Sequence, residues 1–371
     1  VENRSKLKSL YNRFPTIENF KAQLEAKQST FSSDKRAVLV KTLTAQYSQF
    51  QTTALTTKVI KSLENKNTFT VTTGHQLNLM GGPLYFLYKI ISTINLAKTL
   101  KSTYPQQNFV PVFWMATEDH DFDEINHFNF QNKRFQWTQN TTGAVGRLST
   151  SNLTEFIDVF SKALGNSSHA LELKTLITNA YTTTTNLADA TRFLVHTLFG
   201  SDGLLCIDGD DSTLKRLFIP HIKSELTNQK SFNYVSATNK CLKAIDESYK
   251  PQVNPRELNL FYLKDNLRER IIKKEDTFSV LNTNLTWDLS GILEELDSHP
   301  ERFSPNVILR PLYQETILPN LCYIGGGGEL SYWLQLKSYF DSEQLQFPIL
   351  LHRNSVLLIS KKQQQKLEKL K

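Results

Sequence analysis

The sequence predicts an α/β fold in which buried parallel strands end in polar loops that meet at one ligand site. Three short apolar runs, at 109–116, 204–207 and 321–324, each pass directly into acidic or glycine-rich residues. Apolar runs of this length are typical of strands that are buried on both faces. Because open α/β sheets bind ligands beyond the carboxyl ends of their strands, these loops form the candidate site.

The composition is that of a globular protein. With 371 residues, 39% of them hydrophobic and 11% aromatic, the chain can form one large α/β domain or two smaller ones. The formal net charge of +7 comes largely from scattered lysines, and no stripe of basic and aromatic residues is present. This pattern argues against nucleic acid as a partner and is compatible with an anionic small substrate.

The cysteines and the hydropathy pattern predict a cytoplasmic protein. Cys206, Cys241 and Cys322 lie far apart without a CxxC pair, which argues against a disulfide scaffold or a structural zinc site. No apolar run reaches about 18 residues, so no membrane span is expected. The first ten residues lack the apolar centre of a signal peptide.

The chain divides into segments by its pattern of apolar and polar residues. The prediction comprises a helical lead-in without chemistry of its own (1–65), the first half of the core (66–137), a helical insertion (138–200), a core strand with helices (201–250), a second insertion (251–300), the second half of the core (301–358) and the start of a charged helix (359–371). That last helix stops too soon to form a coiled coil by itself.

The first half of the core is predicted to be a βαβ unit. A β-branched strand at 69–73 leads into Gly74-His75-Gln76, then into Gly81-Gly82-Pro83. A helix is expected to start at the proline, because the apolar residues that follow repeat with a period of 3.6. For His75, a turn histidine that is hydrogen-bonded to backbone is as good an interpretation as a ligand contact.

An acidic loop follows the strand at 109–116. Seven ionisable residues crowd into ten positions, and at this spacing they would shift one another's pKa values: Glu118, Asp119, His120, Asp121, Asp123, Glu124 and His127. A solvated acidic loop is the alternative to a functional site, and His120 alone would more often be structural than catalytic. The spacing of the His and Asp residues matches no common zinc motif, so no metal site is predicted.

The inserted segments and the second acidic cluster have their own predictions. A hairpin is expected at 128–137, helices broken near Gly165 and at 182–185, and strands at 259–263 and 270–272. In the cluster at 208–211, Asp211 is expected to cap a helix, and the other carboxylates either do the same or face the cleft.

The second half of the core offers glycines and arginines. The run at 325–328 can approach a ligand with bare backbone, and a helix with Tyr332 and Trp333 in its first turns is expected from about Glu329. Arg310 precedes a proline and is therefore expected in an extended or loop geometry. Its planar guanidinium suits a carboxylate. A last strand at 347–351 ends in His352-Arg353.

Three long blocks of the sequence resemble the BshC cysteine-adding enzyme family of bacillithiol biosynthesis. They are TTGHQLNLMGGPLYFLYKI, PVFWMATEDHDFDEINH and RPLYQETILPNLCYIGGGGELSYWLQLK. The resemblance implies a Rossmann-like core similar to class I nucleotidyltransferases, with two inserted connecting segments. It also implies a carboxyl-terminal coiled coil that forms a homodimer. Family members run past residue 371, so the chain is expected to be a fragment that ends in the first turns of that coiled coil.

The resemblance implies a reaction and site residues. The reaction joins the carboxyl group of L-cysteine to the amine of glucosaminyl-malate, which requires an activated carboxyl group, with ATP as the candidate activator, and a general base. The candidate catalytic residues are Asp119, His120 and Glu118, the first two as base or orienter. Because many relatives carry glutamine at the position of His75, that residue is expected to hydrogen-bond substrate. Arg310, Arg353 and Lys89 are the candidates for the malate carboxylates. The full substrate-binding set is Gly74, His75, Gln76, Gly82, Tyr85, Lys89, Asp121, Asn126, His127, Arg310, Gln314, Gly326, Gly327, Glu329, Tyr332, Trp333 and Arg353.

Two further function classes compete with the ligase. The same loops could serve a non-catalytic protein of this pathway that binds a sugar acid or a nucleotide. A synthetase-like enzyme acting on RNA is the weakest alternative, because it predicts a salt-dependent RNA affinity that the scattered basic charge does not support.

Overall fold

The computed structural model describes residues 5–50, 52–139 and 141–370. The first four residues of the predicted lead-in and the last residue of the predicted terminal helix therefore lie outside the described residues. The helices are α1 (Asn19–Thr30), α2 (Ser33–Tyr47), α3 (Ala54–Ser62), α4 (Tyr85–Thr103), α5 (Phe122–Ile125), α6 (Thr154–Leu164), α7 (Ser168–Thr182), α8 (Leu187–Phe199), α9 (Ser212–Arg216), α10 (Ile219–Asn228), α11 (Lys230–Ile245), α12 (Leu289–Ser298), α13 (Arg310–Ile317), α14 (Gly327–Gln335), α15 (Lys337–Ser342) and α16 (Lys361–Glu368). The strands are β1 (Thr68–His75), β2 (Asn108–Met115), β3 (His127–Phe130), β4 (Lys133–Gln136), β5 (Leu205–Asp208), β6 (Leu260–Lys264), β7 (Leu267–Lys274), β8 (Thr277–Val280), β9 (Thr286–Trp287), β10 (Phe303–Pro305), β11 (Asn320–Gly325) and β12 (Ile349–His352).

A central sheet of five strands confirms the α/β class. Its order is β12-β11-β1-β2-β5, and every neighbouring pair is parallel. The chain runs outward from β1 through β2 to β5, then returns to the other side of β1 for β11 and β12. The strand order thus reverses beside β1, where parallel sheets open a crevice at the carboxyl ends of the strands.

The βαβ unit forms as predicted, with one shift in the helix start. The α4 helix buries Phe86, Ile90 and Ile94, which repeat every four residues along one face. It begins two residues after the predicted proline. Gly81 and Gly82 both have positive φ, at 84° and 66°, so they hold the chain in a turn before the helix.

The core is divided by the central sheet. On β2, Val112 and Trp114 pack into one apolar cluster, while Phe113 and Met115 pack into another. The second of these clusters is completed by α6, α7 and α8, which break near Gly165 and between Thr182 and Leu187 as predicted. Successive residues of β2 thus pack on opposite sides of the sheet, which is typical of a strand that is buried on both faces.

A second sheet, antiparallel and ordered β10-β6-β7-β8-β9, covers one side of the crevice. Its inner face packs Leu260, Tyr262 and Ile271 into the same cluster as Trp114. The opposite face of β6 and β7 therefore presents the alternate residues, which include Phe261, Arg268 and Arg270. β6 is shifted by one residue from the strand predicted at 259–263, and β7 is longer than the strand predicted at 270–272.

Several local predictions can be compared with the structure. The hairpin at 128–137 forms from β3 and β4. Asp211 caps α9 by accepting hydrogen bonds from the amides of Thr213 and Leu214, as expected. The expectation for Arg310 is wrong: it is the first residue of α13, because Pro311 falls in the first turn, where a helix has no need of its N–H.

The last helix of the chain, α16, lies on the surface. Ser360 caps α16, which has no buried residue in this structure. Within the described part of the chain, no helix combines the length and the apolar character that crossing a bilayer requires.

Candidate active site

A cleft of about 760 Å³ lies between the carboxyl ends of the central strands and the second sheet. The predicted site residues that line it are Gly74, His75, Gln76, Tyr85, Lys89, Glu118, Asp119, His120, Arg310, Glu329 and Tyr332. The predicted segments after β2 and β11 therefore contribute to one cavity together with the loop after β1, whereas the predicted loop after β5, at 208–211, does not line it. The second sheet closes the cavity from the opposite side with Phe261, Arg268 and Arg270.

The acidic loop is a fixed element of the cleft. The carbonyl oxygens of Thr117 and Asp119 accept hydrogen bonds from the amides of Gly146 and Val145, at 2.8 and 2.7 Å. Gly146 is required for this contact, since a Cβ atom there would lie 2.6 Å from the Cβ of Thr117. The loop then enters α5, which Asp121 caps by accepting from the amide of Glu124. These bonds fix where the carboxylates stand.

Asp119 is held as a carboxylate. Its oxygens accept hydrogen bonds from the side chain of Gln76 and from the amide of His120, the latter at 2.7 Å. Burial opposes ionisation, but the contacts with His120 and Gln76 and the charge of Arg268 outweigh it and hold the pKa of Asp119 well below its usual value. A carboxylate with so low a pKa is a poor proton acceptor and a good partner for a cation.

His120 is oriented by an arginine from the second sheet. The guanidinium of Arg268 donates from Nη1 to Nδ1 of His120 at 2.7 Å, while its Nε donates to Ser304 at 3.2 Å. Arginine has no acceptor, so Nδ1 must carry the lone pair and Nε2 the proton. In this arrangement Nε2 of His120 can donate a hydrogen bond.

Glu118 belongs to a buried ionic network. Nζ of Lys215 lies 2.6 Å from Oε1 of Glu118 and 3.1 Å from Oδ1 of Asp210. Arg147 pairs with the same Asp210 through Nε and Nη2, at 2.7 and 3.0 Å. Burial lowers the pKa of Lys215, but the two carboxylates more than offset it and keep the ammonium charged. Burial also raises the pKa of Glu118, against the charge of Lys215. Among the three predicted catalytic residues, Glu118 is thus the carboxylate best suited to accept a proton.

Lys89 is paired within the protein. Its ammonium lies 2.9 and 2.8 Å from the two carboxylate oxygens of Glu329 and donates to the carbonyl of Gly74. Glu329 in turn accepts from the amide of Gly326 at 2.8 Å and so caps its own helix, α14. Lys89 is only 2% exposed. It therefore lacks the free charge that was expected to bind a malate carboxylate.

Arg310 forms no ion pair with a carboxylate among the described residues. Burial lowers its pKa, but neighbouring groups, which include the nearby charge of Glu329, outweigh burial and raise the pKa. It donates to the Gln314 amide oxygen at 3.0 Å and to the Tyr332 hydroxyl at 3.3 Å, and both groups are neutral. Its guanidinium also lies over the rings of Trp114 and Tyr323, with centroid distances of 5.8 and 5.7 Å. The predicted role as an anion contact is compatible with this geometry.

His75 stands at the end of β1 with one nitrogen unused. Its Nε2 is buried and has no hydrogen-bond partner among the described residues. Burial, reinforced by the charge of Lys89, lowers the pKa of His75 to about 3. A buried polar atom of this kind is expected to find its partner in a ligand, and it meets that ligand as a neutral imidazole.

The low pKa of His75 predicts a specific loss of stability in acid. An unfolded histidine titrates near 6.5, so between that pH and about 3 the unfolded chain binds a proton that the folded chain does not. Folding stability should therefore fall as the pH drops through this window. We expect the free energy of unfolding of His75→Gln, measured with urea, to fall less steeply between pH 7 and pH 4.5 than that of the unaltered protein. His169→Gln, at a position 89% exposed, is the control. Equal slopes for both variants would contradict the low pKa.

Nine predicted residues are not brought to the cleft wall. They are Gly82, Asp121, Asn126, His127, Gln314, Gly326, Gly327, Trp333 and Arg353. Trp333 is fully buried and packs on Tyr323, so its assignment to substrate binding is wrong. Gln314 is also buried and acts only behind Arg310. None of the residues 325–328 lines the cavity, and Gly325 packs against Glu329, since a Cβ there would lie 3.0 Å from that of Glu329.

Sequence reasoning missed the basic residues around the cleft. Arg256, Arg268 and Arg270 line it, and the buried Lys215 holds Glu118 from behind. The alternation Arg268-Glu269-Arg270 was a usable signal, because it places two arginines on one face of a strand. In the described ranges, no three His, Cys, Asp or Glu side chains are grouped so that they could hold a metal ion.

Comparisons with known proteins agree with the resemblance drawn from the sequence. The family model described as "Bacillithiol biosynthesis BshC, N-terminal Rossmann-like domain" matches residues 1–354. A protein of Flavobacterium johnsoniae is 57% identical over 370 residues, which cover 100% of this chain and 69% of the relative. One of Christiangramia forsetii is 51% identical over 375 residues, with the same coverage, and one of Bacillus mycoides is 28% identical over 96% of this chain and 67% of the relative. All three are named "Putative cysteine ligase BshC". The chain belongs to the BshC family of bacillithiol biosynthesis and contains its Rossmann-like domain.

Proposed function

We propose that the cleft joins the carboxyl group of L-cysteine to the amine of glucosaminyl-malate. The observation that carries the proposal is the division of charge in the cavity. It is supported by the relatives of this chain, which are named as cysteine ligases. The loop at 118–124 forms an acidic wall, and the second sheet forms a basic wall. An acceptor with an amine at one end and carboxylates at the other fits such a cavity by charge.

The side chains divide the chemistry between them. The carboxylate of Asp119 attracts and orients the acceptor ammonium, and Glu118 takes the proton that the amine must lose. The amine then attacks the carbonyl carbon of an activated cysteine, so that the C–N bond forms as the bond to the activating group breaks. Nε2–H of His120 is available to donate to the carbonyl oxygen, and Nε2 of the neutral His75 offers a contact to substrate.

The wider architecture follows the same family pattern in this proposal. The segments at 138–200 and 251–300 are the two insertions of a nucleotidyltransferase-like core, and α16 begins the coiled coil through which two copies dimerise. The enzyme works in the cytoplasm on small molecules, without nucleic acid or membrane. ATP is the proposed activator of the cysteine carboxyl group, and Arg310, whose side chain donates to the neutral groups of Gln314 and Tyr332, is a candidate contact for it.

A mass-spectrometric assay tests this function directly. Full-length protein is incubated with glucosaminyl-malate and L-cysteine, with and without ATP. We expect a product heavier by one cysteinyl residue that forms only when ATP is present. Product without ATP would retain the ligase and reject ATP as the activator. Absence of product in every mixture, while the acceptor still binds, would overturn the ligase in favour of a non-catalytic binding protein.

A further inference from the structure

Two arginines, Arg256 and Arg270, line the same cleft, and neither side chain forms an ion pair with a carboxylate among the described residues. Arg270 lies on β7, opposite Phe261 on β6, and Arg256 lies in the loop that precedes β6. Arg268 and Arg270 are two residues apart, so both point toward the cavity from the same face of the strand. The basic wall of the cleft is therefore built from the second sheet and its leading loop, not from the central sheet.

The two arginines differ from the other cations of the cleft. Arg268 is engaged by His120, Ser304 and the carbonyl of Pro305, and Lys89 is neutralised by Glu329. Arg270 by contrast feels only burial and the like charge of Arg256, both of which lower its pKa. Like charges side by side are unfavourable in the free protein, and binding of an anion between them removes that repulsion.

We propose that Arg256 and Arg270 form the subsite for the paired carboxylates of the acceptor, which sets its direction in the cleft. This rests on the proposed function and assigns residues to it. Two planar guanidinium forks match two carboxylates in number and in shape. The acceptor amine then reaches the acidic wall at Asp119. A nucleotide phosphate is the less favoured ligand, since phosphates in α/β folds bind at helix starts that follow strands of the main sheet.

Steady-state kinetics of glutamine variants tests the subsite. Arg256→Gln, Arg270→Gln and the double variant are compared with Arg134→Gln, an exposed arginine on the β4 hairpin strand that does not line the cleft. We expect the double variant to raise KM for glucosaminyl-malate by about 10- to 100-fold. KM for L-cysteine and for ATP should stay within about twofold. A methyl glucosaminide, which has the amine but no carboxylate, should be used equally poorly by all variants.

Direct binding of L-malate separates this subsite from the proposed function. Calorimetry on the unaltered protein should detect malate, and the double variant should weaken that binding by a similar factor, whether or not the protein forms product. A rise in KM for ATP alone would assign the arginines to a polyphosphate and overturn the proposal. Unchanged malate binding in the double variant, or no malate binding by the unaltered protein, would also overturn it. Failure of product formation together with arginine-dependent malate binding would reject the ligase and retain the subsite.

Discussion

Replacing Lys215 with methionine is expected to lower the free energy of unfolding by about 3–5 kcal/mol. The ammonium is 1% exposed and lies between two carboxylates, at 2.6 Å from Glu118 and 3.1 Å from Asp210. It also donates to the carbonyl oxygen of Glu301 at 3.0 Å. Methionine fills the space of the lysine stem but leaves the buried carboxylate of Glu118 without its ion-pair partner, and Asp210 with Arg147 alone. The cost is therefore that of desolvated, unpaired charge and not that of a cavity.

A matched exposed ion pair provides the control for Lys215. Lys223 lies 2.7 Å from Asp297, but the two side chains are 39% and 52% exposed. Water screens such a pair, so Lys223→Met should cost less than about 1 kcal/mol. Urea unfolding followed by tryptophan fluorescence measures both variants. Similar losses for the two would show that the buried network contributes no more than a surface pair.

The position of Lys215 illustrates what the sequence does not reveal. In the sequence it stands in the short polar helix STLKR, beside Arg216, and reads as part of a solvated basic face. Its burial follows from sheet order, because β2 pairs with β5 and brings Met115 opposite Asp208. The loops after these two strands then meet, and Lys215 lies between their carboxylates. Strand order is a property of long-range pairing, which local patterns do not specify.

Local patterns did specify the strands and the loops that follow them. The apolar runs predicted β2, β5 and β11 because strands covered on both faces need no polar alternation. The same reasoning failed for Trp333, which was grouped with its neighbour Tyr332. Successive helical residues differ by about 100° in direction, so only one of the two can face the cleft. Tyr332 lines the cavity, and Trp333 enters the core.

The acidic loop was predicted as a site, but the roles within it required the structure. Seven ionisable groups in ten positions indicated perturbed pKa values without saying which would rise or fall. Hydrogen bonds from Gln76 and His120 lower the pKa of Asp119, whereas burial raises that of Glu118. The partner that orients His120, Arg268, comes from a strand about 150 residues later. The pKa values of the adjacent residues Glu118 and Asp119 thus shift in opposite directions, because their contacts come from different parts of the chain.

Replacing Asp119 with asparagine is expected to lower turnover by about 100- to 1,000-fold, the effect of removing one preorganised electrostatic contact from a closed site. Asparagine has the same shape and can still accept the hydrogen bond from the amide of His120. In the unaltered protein this bond joins the His120 nitrogen to Oδ1 of Asp119 at 2.7 Å. The fold should therefore survive, with a melting temperature close to that of the unaltered protein. What disappears is the negative charge that attracts the acceptor ammonium and balances Arg268, which lies 3.9 Å away.

Asp121→Asn separates this effect from a general loss of acidic charge in the loop. Asp121 carries the same charge two residues later, but it caps α5 and does not line the cleft. Asparagine is itself a good N-cap, so that variant should keep turnover within about threefold. The product assay on both variants decides the matter. Undiminished turnover in Asp119→Asn would remove Asp119 from the reaction, whereas lost turnover with intact acceptor binding would identify its charge as acting on the chemical step and not on affinity.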